Sequence, residues 1–385
     1  MRLPVLLRSS GARIHTFTPL RSSVQRSIYL SKQYTVPTEA DLASGLREHL
    51  KTHRYSLIIV GDEPTLLALI AARDPQPDGS SWLDGWFPIP DAARYPINTG
   101  KADFTAAIAA EGVPVPPFRI CHDRTDVQAA ASELDFPLVL KTNHGFAGNG
   151  VVKAANDDEL AAAYRALQDR PPLIVQAYID GPVGLTHLVY DHGRLLFWLP
   201  TYKHICFPAP LGPSCVRRYL GQAGLAAMER IVRRVGEVTG FHGMCGIDWI
   251  ERAPGDLRVI EFNPRPLPAF QLGARAGVDP TAALRGLLSG KPEPQPSPRP
   301  VAAGKELVYL FPQHVRRTVY HREWRQLLYH LPGLAENDVP WCEPKILAAA
   351  VRELARQAWR QLRRSRPRAA SRLTANHPAQ VCHRM

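Results

Sequence analysis

The chain has 385 residues, 45% of them apolar and 21% charged. That is enough apolar material for two or three cored domains and excludes a disordered tail protein. No window approaches 18 consecutive apolar residues, and neither Met1-Arg2-Leu3-Pro4 nor any later stretch makes the apolar block and cleavage site of a secretory signal, which argues against membrane spanning and routine secretion. The net charge is +12, but it is concentrated: from Lys345 onward there are ten Lys or Arg against one acid, Glu353, leaving about +3 for everything before. A nearly balanced body is no electrostatic track for a phosphate backbone, which argues against nucleic acid as a main partner, although the tail suits an anionic surface. Cys121, Cys206, Cys215, Cys245, Cys342 and Cys382 are scattered, with no C-x-x-C pair and no zinc-type His spacing. They read as reduced thiols in a cytoplasmic setting.

In chain order, Ala12–Phe17 reads as a strand and Tyr55–Val60 as a second, ending in Gly61-Asp62-Glu63-Pro64 before an apolar helix through Leu66 to Ala72. Before Glu39 there are six basic residues, no acid and many Ser and Thr. That is also how a mitochondrial presequence reads, but the same stretch makes sense as folded α/β structure. Arg73–Asn98, rich in Pro, Asp, Gly and Trp, marks a domain boundary. Lys101–Ala110 is a helix stopped by Gly112, and Val113–Pro117 is extended because its prolines forbid helix. Thr125 caps a helix through Leu134, Pro137–Thr142 is a buried strand, Gly145–Gly150 a glycine-rich turn and Val151-Val152 the return strand. Asn156 with Glu159 opens the next helix as a capping box. Leu173–Ile179 is a strand turned by Gly181-Pro182, and Leu185–Tyr190 and Leu195–Leu199 flank Asp191-His192-Gly193 as a hairpin. Gln222–Thr239 is a long amphipathic helix, followed by a second hairpin, Met244–Glu251 and Leu257–Asn263, around Pro254-Gly255-Asp256. Lys291–Pro300 reads as a semi-rigid proline linker. Beyond it lie a strand, Leu307–Phe311, and a helical, basic C-terminal region; there is no internal repeat.

The second hairpin carries the clearest chemistry. Glu261 and Asn263, two apart on a strand, project to one face, and a turn centred between Pro254 and Gly255 puts Asp248 opposite Glu261. Like charges opposed across strands are destabilising unless neutralised, and a hard divalent cation with oxygen ligands, magnesium above all, would neutralise them. The competing reading is two separate surface carboxylates. Earlier in the chain, Lys141 ends an apolar strand and is followed by glycines 145, 148 and 150, a way to hold polyphosphate with an ammonium and exposed amides. This is neither a Walker loop nor a G-x-G-x-x-G fingerprint, and alone it equals an ordinary β-turn. His144, His204 and His242 are more simply structural than basic catalysts. Lys203 and Arg217-Arg218 suit a substrate carboxylate or a solvated surface equally. Ile346–Leu362, with Trp359, reads as a helix packed on the core with a solvated basic end rather than one lying on lipid or RNA.

The order of these features, with Lys101 before a helix, Lys141 before a glycine loop, an apolar connecting strand and a terminal Asp…Glu-x-Asn hairpin ending in Glu261-Phe-Asn-Pro-Arg-Pro266, resembles the ATP-grasp superfamily. That superfamily includes D-alanine D-alanine ligases, biotin carboxylase and carbamoyl-phosphate synthetase. The likeness covers about 12–290 and implies a fold class of α/β plus α+β. It comprises a Rossmann-like N-terminal domain (1–98) and an ATP-grasp domain (99–290) of a small lid (about 115–178) and a metal-binding subdomain (about 180–290). A linker (291–300) and a basic helical C-terminal extension (301–385) complete the division. It further implies that Lys101 and Lys141 contact nucleotide phosphates while the loop of His144, Gly145, Gly148, Asn149 and Gly150 closes over them. Gln176, Ala177, Tyr178 and Ile179 would receive adenine. Asp248, Glu261 and Asn263 would bind magnesium, with manganese as the alternative, and Arg265, with Lys141, would act on the transferred phosphate. The implied activity is ATP-dependent activation of a small carboxylate as an acyl phosphate and its coupling to an amine, by a protein for which a homodimer is compatible. Two other readings stay open: a degenerate or regulatory ATP-binding protein, and an anionic-surface binder acting through the tail.

Departures accompany the likeness. Where relatives carry glutamates for adenine and ribose, this chain has Gln176-Ala177 and Gly181-Pro182-Val183, leaving Gln176, the Tyr178 backbone or His187 as substitutes. The chain opens inside the first helix, Leu3–Ser10, so an N-terminal domain that lacks an edge, its first strand, or a misassigned start is expected. Phe311-Pro312-Gln313 and Asp338-Val339-Pro340-Trp341 resemble segments of uncharacterised bacterial ATP-grasp proteins.

Overall fold

A computed structural model describes residues 3–20, 22–145, 150–208, 212–337 and 339–364. The N-terminal part comprises α1 (Leu3–Ser9), β1 (Ile14–Pro19), β2 (Leu30–Val36), α2 (Leu42–Leu50) and α3 (Glu63–Ala71). β1 and β2 form a parallel pair. β2 was not expected, because Leu-Ser-Lys-Gln-Tyr-Thr-Val is mostly polar and sits among basic and hydroxyl residues. Conversely, Tyr55–Val60 forms no strand. Its apolar character goes into packing, with Val60 in the main core and Ile59 against a second cluster, so burial rather than a ladder explains the run. α3 begins as its sequence dictates: the Asp62 carboxylate accepts from Thr65 N and Pro64 occupies the first turn.

After α4 (Tyr95–Thr99) and α5 (Lys101–Ala110) comes a four-stranded antiparallel sheet. Its strands β3 (Phe118–Cys121), β4 (Leu138–Thr142), β5 (Val151–Ala154) and β6 (Leu173–Ala177) lie in the order β3-β6-β4-β5. Helices α6 (Arg124–Glu133) and α7 (Asp157–Leu167) bury Val127, Ala130, Leu160 and Ala163 against Leu140 and Val175 of this sheet. The α6 cap is Asp123, whose side chain accepts from Asp126 N, not Thr125. Asn156 caps α7 through Glu159 N, and Glu159 accepts from Ala155 N. The β6 ladder ends at Ala177, because the next amide, Tyr178 N, donates to Pro137 O in the turn before β4.

The second sheet is antiparallel and six-stranded, in the order β11-β10-β7-β8-β9-β12. It is built from β7 (Val183–Asp191), β8 (Arg194–Cys206), β9 (Ser214–Tyr219), β10 (Gly243–Ala253), β11 (Asp256–Asn263) and β12 (Leu307–Tyr309). The β7–β8 turn places His192 and Gly193 at φ 49° and 86°, the left-handed pair that a tight hairpin demands. α8 (Gln222–Thr239) covers one face in a core shared with α3 and α5, and α9 (Pro280–Leu288) covers the other. β9 lies where the sequence showed only a basic connecting stretch; it ends the alternation by burying Val216 and Arg217 and exposing Arg218. The proline run at 291–300 is extended and held to the body through Gln295 N to Leu196 O (2.7 Å) and Arg299 N to Ala276 O (2.8 Å). Helices α10 (Gln313–His321), α11 (Trp324–Asn337) and α12 (Pro344–Arg364) come last; β12 stops at Tyr309, before Phe311. Among the described residues no helix is long and apolar enough to cross a membrane.

One close approach fixes the centre of this sheet. Gly184 on β7 faces Trp249 on β10, and a Cβ at Gly184 would stand 2.1 Å from the indole ring. Trp249 is 0% exposed and donates its Nε1 to Thr186 Oγ1 at 3.0 Å. Gly184→Ala should therefore lower stability by roughly 1–3 kcal/mol through overpacking, read from urea denaturation; an unchanged midpoint would show that the ring has room to move.

Candidate active site

The β10–β11 hairpin sets Asp248 directly opposite Glu261. The ladder reaches this pairing through two irregularities that cancel, Arg252 being the extra residue on one strand and Ile260 on the other. Asn263, on the same face as Glu261, pairs with Gly246 and is almost buried. This oxygen-rich patch lies on the wall of a cleft of about 880 Å³, which Lys101, Lys141, Lys203 and Arg265 also line.

Each carboxylate in the patch faces a cation. Lys203 on β8 donates to Asp248 Oδ2 across the intervening β7. Lys101, first residue of α5, stands 3.1 Å from Glu261 Oε1 and also donates to Gly145 O. Arg265 Nε lies 3.2 Å from Glu63 Oε1 while its Nη2 donates to Asn263 Oδ1 at 3.3 Å. Glu63, at the start of α3, was not singled out by the sequence; its carboxyl is held above the usual range chiefly by burial, with Arg265 opposing and Glu261 adding. Its only signal in the sequence was its place in a Gly-Asp-Glu-Pro helix start, which announces a cap rather than a site.

Lys141, on β4 of the small sheet, donates to Gln176 Oε1 at 2.5 Å, and Gln176 sits opposite Val139 on the adjoining β6. Burial brings the Lys141 ammonium down to about 8 from 10.5; Glu261 and Asp248 pull it back up and Lys101 pushes it further down. The loop after β4 is tied to the start of α5. Asn143 Oδ1 accepts from Ala102 N at 2.8 Å, Asn143 O from Lys101 N at 3.0 Å, and His144 Nδ1 faces Thr99 O at 3.1 Å. Asn143 was missed because one Asn after a strand carries no pattern. At the far end of the loop Gly150 has φ 75°, and a Cβ there would meet Thr142 Oγ1 at 2.2 Å. Gly148 and Asn149 lie outside the described residues.

The expected adenine positions are arranged less openly. Ala177 N donates to Pro117 O and Tyr178 N to Pro137 O, so both amides are engaged, and Lys153 sits over the Tyr178 ring at 3.5 Å. Ile179 lies just past the end of β6. His187 is buried in β7 between Pro268 O (2.6 Å) and Leu199 O, and burial drives its proton affinity down to about 3. It is a neutral ring fixing the 266–268 loop. His204 is exposed on β8, and His242 Nδ1 lies 3.5 Å from Asp191 Oδ1, away from the cleft residues. Of the arginine pair, Arg217 is buried, lines the cleft and donates to Thr201 Oγ1, whereas Arg218 stacks over Tyr202 at 4.3 Å.

The sign of the Lys141 effect is testable. Below about pH 8 both folded and unfolded chains keep this proton; between 8 and 10.5 the unfolded chain keeps it and the folded one releases it, so stability gains from this group as pH rises. Relative to the wild type, Lys141→Met should lack that gain across the window, seen as diverging urea midpoints. Parallel curves for the two proteins would contradict the burial argument.

Comparison with known proteins places this arrangement. Residues 106–268 match the ATP-grasp domain. Over 172 residues the chain is 27% identical to a D-alanine–D-alanine ligase of Stutzerimonas stutzeri, covering 40% of this chain and 51% of that one. Over 211 residues it is 26% identical to a formate-dependent phosphoribosylglycinamide formyltransferase of Azotobacter vinelandii, covering 50% and 53%. The match thus spans about half the length of these curated relatives. The fold is similar to that of N5-carboxyaminoimidazole ribonucleotide synthetase from Thermus thermophilus, with a TM-score of 0.58, 16% identity and 78% of each chain covered. The small sheet, the large sheet with its acidic hairpin, and the sequence match across both make residues 106–268 similar to an ATP-grasp domain.

Proposed function

We propose that this protein is an ATP- and magnesium-dependent ligase that activates a small carboxylate and joins it to an amine. The observation that carries the reading is the convergence on one cleft of Asp248, Glu261 and Asn263 with Lys101, Lys141, Lys203 and Arg265. The domain division expected from the sequence, 1–98, 99–290, 291–300 and 301–385, belongs to the same proposal.

The donor set fits a hard cation: two carboxylates opposed across strands and an amide oxygen, all oxygen, with lysines standing where a cation's charge is needed. Asp248, Glu261 and Asn263 would hold magnesium, which supplies charge neutralisation on the phosphate oxygens. Lys101 and Lys141 orient the polyphosphate, drawn from Glu261 and Gln176 as a more highly charged partner arrives. Arg265, no longer turned to Asn263, supplies two parallel donors to the transferred group or the substrate carboxylate.

In the first step a substrate carboxylate oxygen bonds to the γ-phosphorus while the bond to the bridging oxygen of ADP breaks. In the second, the amine attacks the acyl carbon, inorganic phosphate leaves and the amine loses a proton. Asn143, bound to α5, and Gly150 hold the two ends of the loop, which on closing would exclude water from the acyl phosphate. The two curated relatives, a ligase and a formyltransferase, support this class of reaction without naming the substrates.

The test is ADP release from MgATP against pools of amino acids and small carboxylates. Release should depend on one pool and fall about 100-fold or more in Glu261→Gln. ATP binding with no release from any pool would favour a nucleotide-binding protein without turnover; failure to bind ATP would overturn the proposal.

A further inference from the structure

The C-terminal helix is part of the cleft. Ile346, Ala349 and Ala350 of α12 line the main cavity together with Arg26, far along the chain from the acidic hairpin. Adjoining it is a second cavity of about 690 Å³, lined by Arg26, Lys345, Ala349, Arg352 and Arg356. Arg26 and Ala349 therefore border both cavities. The run Ala348-Ala349-Ala350 keeps side chains small at this shared border, where a bulkier residue at 349 would separate the two spaces further.

Four cations meet in this second cavity. The one carboxylate there, Glu353, pairs with Arg356 at 3.2 Å, and Arg26, Lys345 and Arg352 have no carboxylate partner among the described residues. Lys345, Ala349, Arg352 and Arg356 succeed one another at helical spacing, so the cationic stripe belongs to one face of α12. Arg26 is brought to that stripe by a dedicated clamp. Glu343, just before α12 and 0% exposed, accepts from Ser27 Oγ at 2.5 Å and from Ile28 N at 3.0 Å. A buried carboxylate thus fastens the residues next to Arg26 to the base of the helix, and four exposed cations with a single carboxylate among them make a surface of positive potential that favours an anion.

We propose that this basic pocket binds the phosphate-ester end of a substrate whose reacting group lies in the main cleft. A phosphate matches the site better than a carboxylate, because its charge and its three acceptor oxygens use several guanidinium donors at once. The inference deepens the ligase reading, on which only the link to a substrate rests; the anion site itself stands independently.

Two probes test it on the full chain. Pyrophosphate is titrated calorimetrically with ADP saturating, so that the polyphosphate region of the main cleft is filled. Binding should persist and weaken at least tenfold in Arg26→Gln/Arg352→Gln, and in Arg352→Gln alone to a lesser degree, with ADP affinity unchanged. Unchanged pyrophosphate binding in both variants, or its complete displacement by ADP, would overturn the site. The second probe, 6-aminohexyl phosphate, carries an amine and a phosphate on one chain. Ala349→Leu, which adds bulk at the border the two cavities share, should weaken it at least fivefold and leave pyrophosphate unaffected. If Ala349→Leu affects neither, the anion is a separate effector and the substrate assignment fails. If ADP does not bind, the ligase reading fails, while pyrophosphate against the arginine variants still decides the pocket.

Discussion

Two carboxylates held face to face across a strand pair, Asp248 and Glu261, are the constraint on which the rest of the cleft depends. Opposed like charges in a sheet are unfavourable, and this fold resolves them with ammonium groups delivered from elsewhere: Lys203 from two strands away and Lys101 from the start of α5. The site without ligand is an exchange-ready set of ion pairs. On the proposed reading the carboxylates would hold a divalent cation and Lys101 and Lys203 would be free to turn to phosphates. The arrangement is preorganised rather than strongly self-stabilised, which is the condition under which electrostatic catalysis operates.

The scaffold explains why the parts stay in register. The large sheet is buried on both faces, by α8 on one and α9 on the other, so the acidic hairpin at its edge rides on a rigid platform. The small sheet has its own core beneath α6 and α7, which lets it carry Lys141 and Asn143 as a unit. Asn143 joins the two, binding the loop of one sheet to the helix that presents Lys101 to the other. A change at Asn143 would therefore act on both lysines at once without touching any ligand.

Much of this was legible in the sequence, and the limits are physical. The opposition of Asp248 and Glu261 was read from turn symmetry, and it holds because the two bulges compensate; one bulge alone would have slipped the register. Lys101, Lys141 and Asn263 were legible because motif order carried them. Glu63 was not, and Lys203 was singled out only for a substrate carboxylate or a solvated surface, since their contacts, to Arg265 and to Asp248, span many residues of separation that no local pattern encodes. Tyr55–Val60 shows the converse: an apolar run that forms no strand and is part-buried, with Val60 alone in the core. The loop positions Gly148 and Asn149 fall outside the described residues.

The central claim is that the acidic hairpin holds a divalent ion once a nucleotide polyphosphate is present and is quenched by lysines otherwise. Electron paramagnetic resonance of Mn²⁺ reports bound ion directly. With ATP, the wild type should convert the sharp free-ion signal to a broadened bound one at far lower protein concentration than without ATP, and Asp248→Asn should abolish that conversion. Equal binding by wild type and Asp248→Asn in the presence of ATP would place the metal elsewhere and contradict the account.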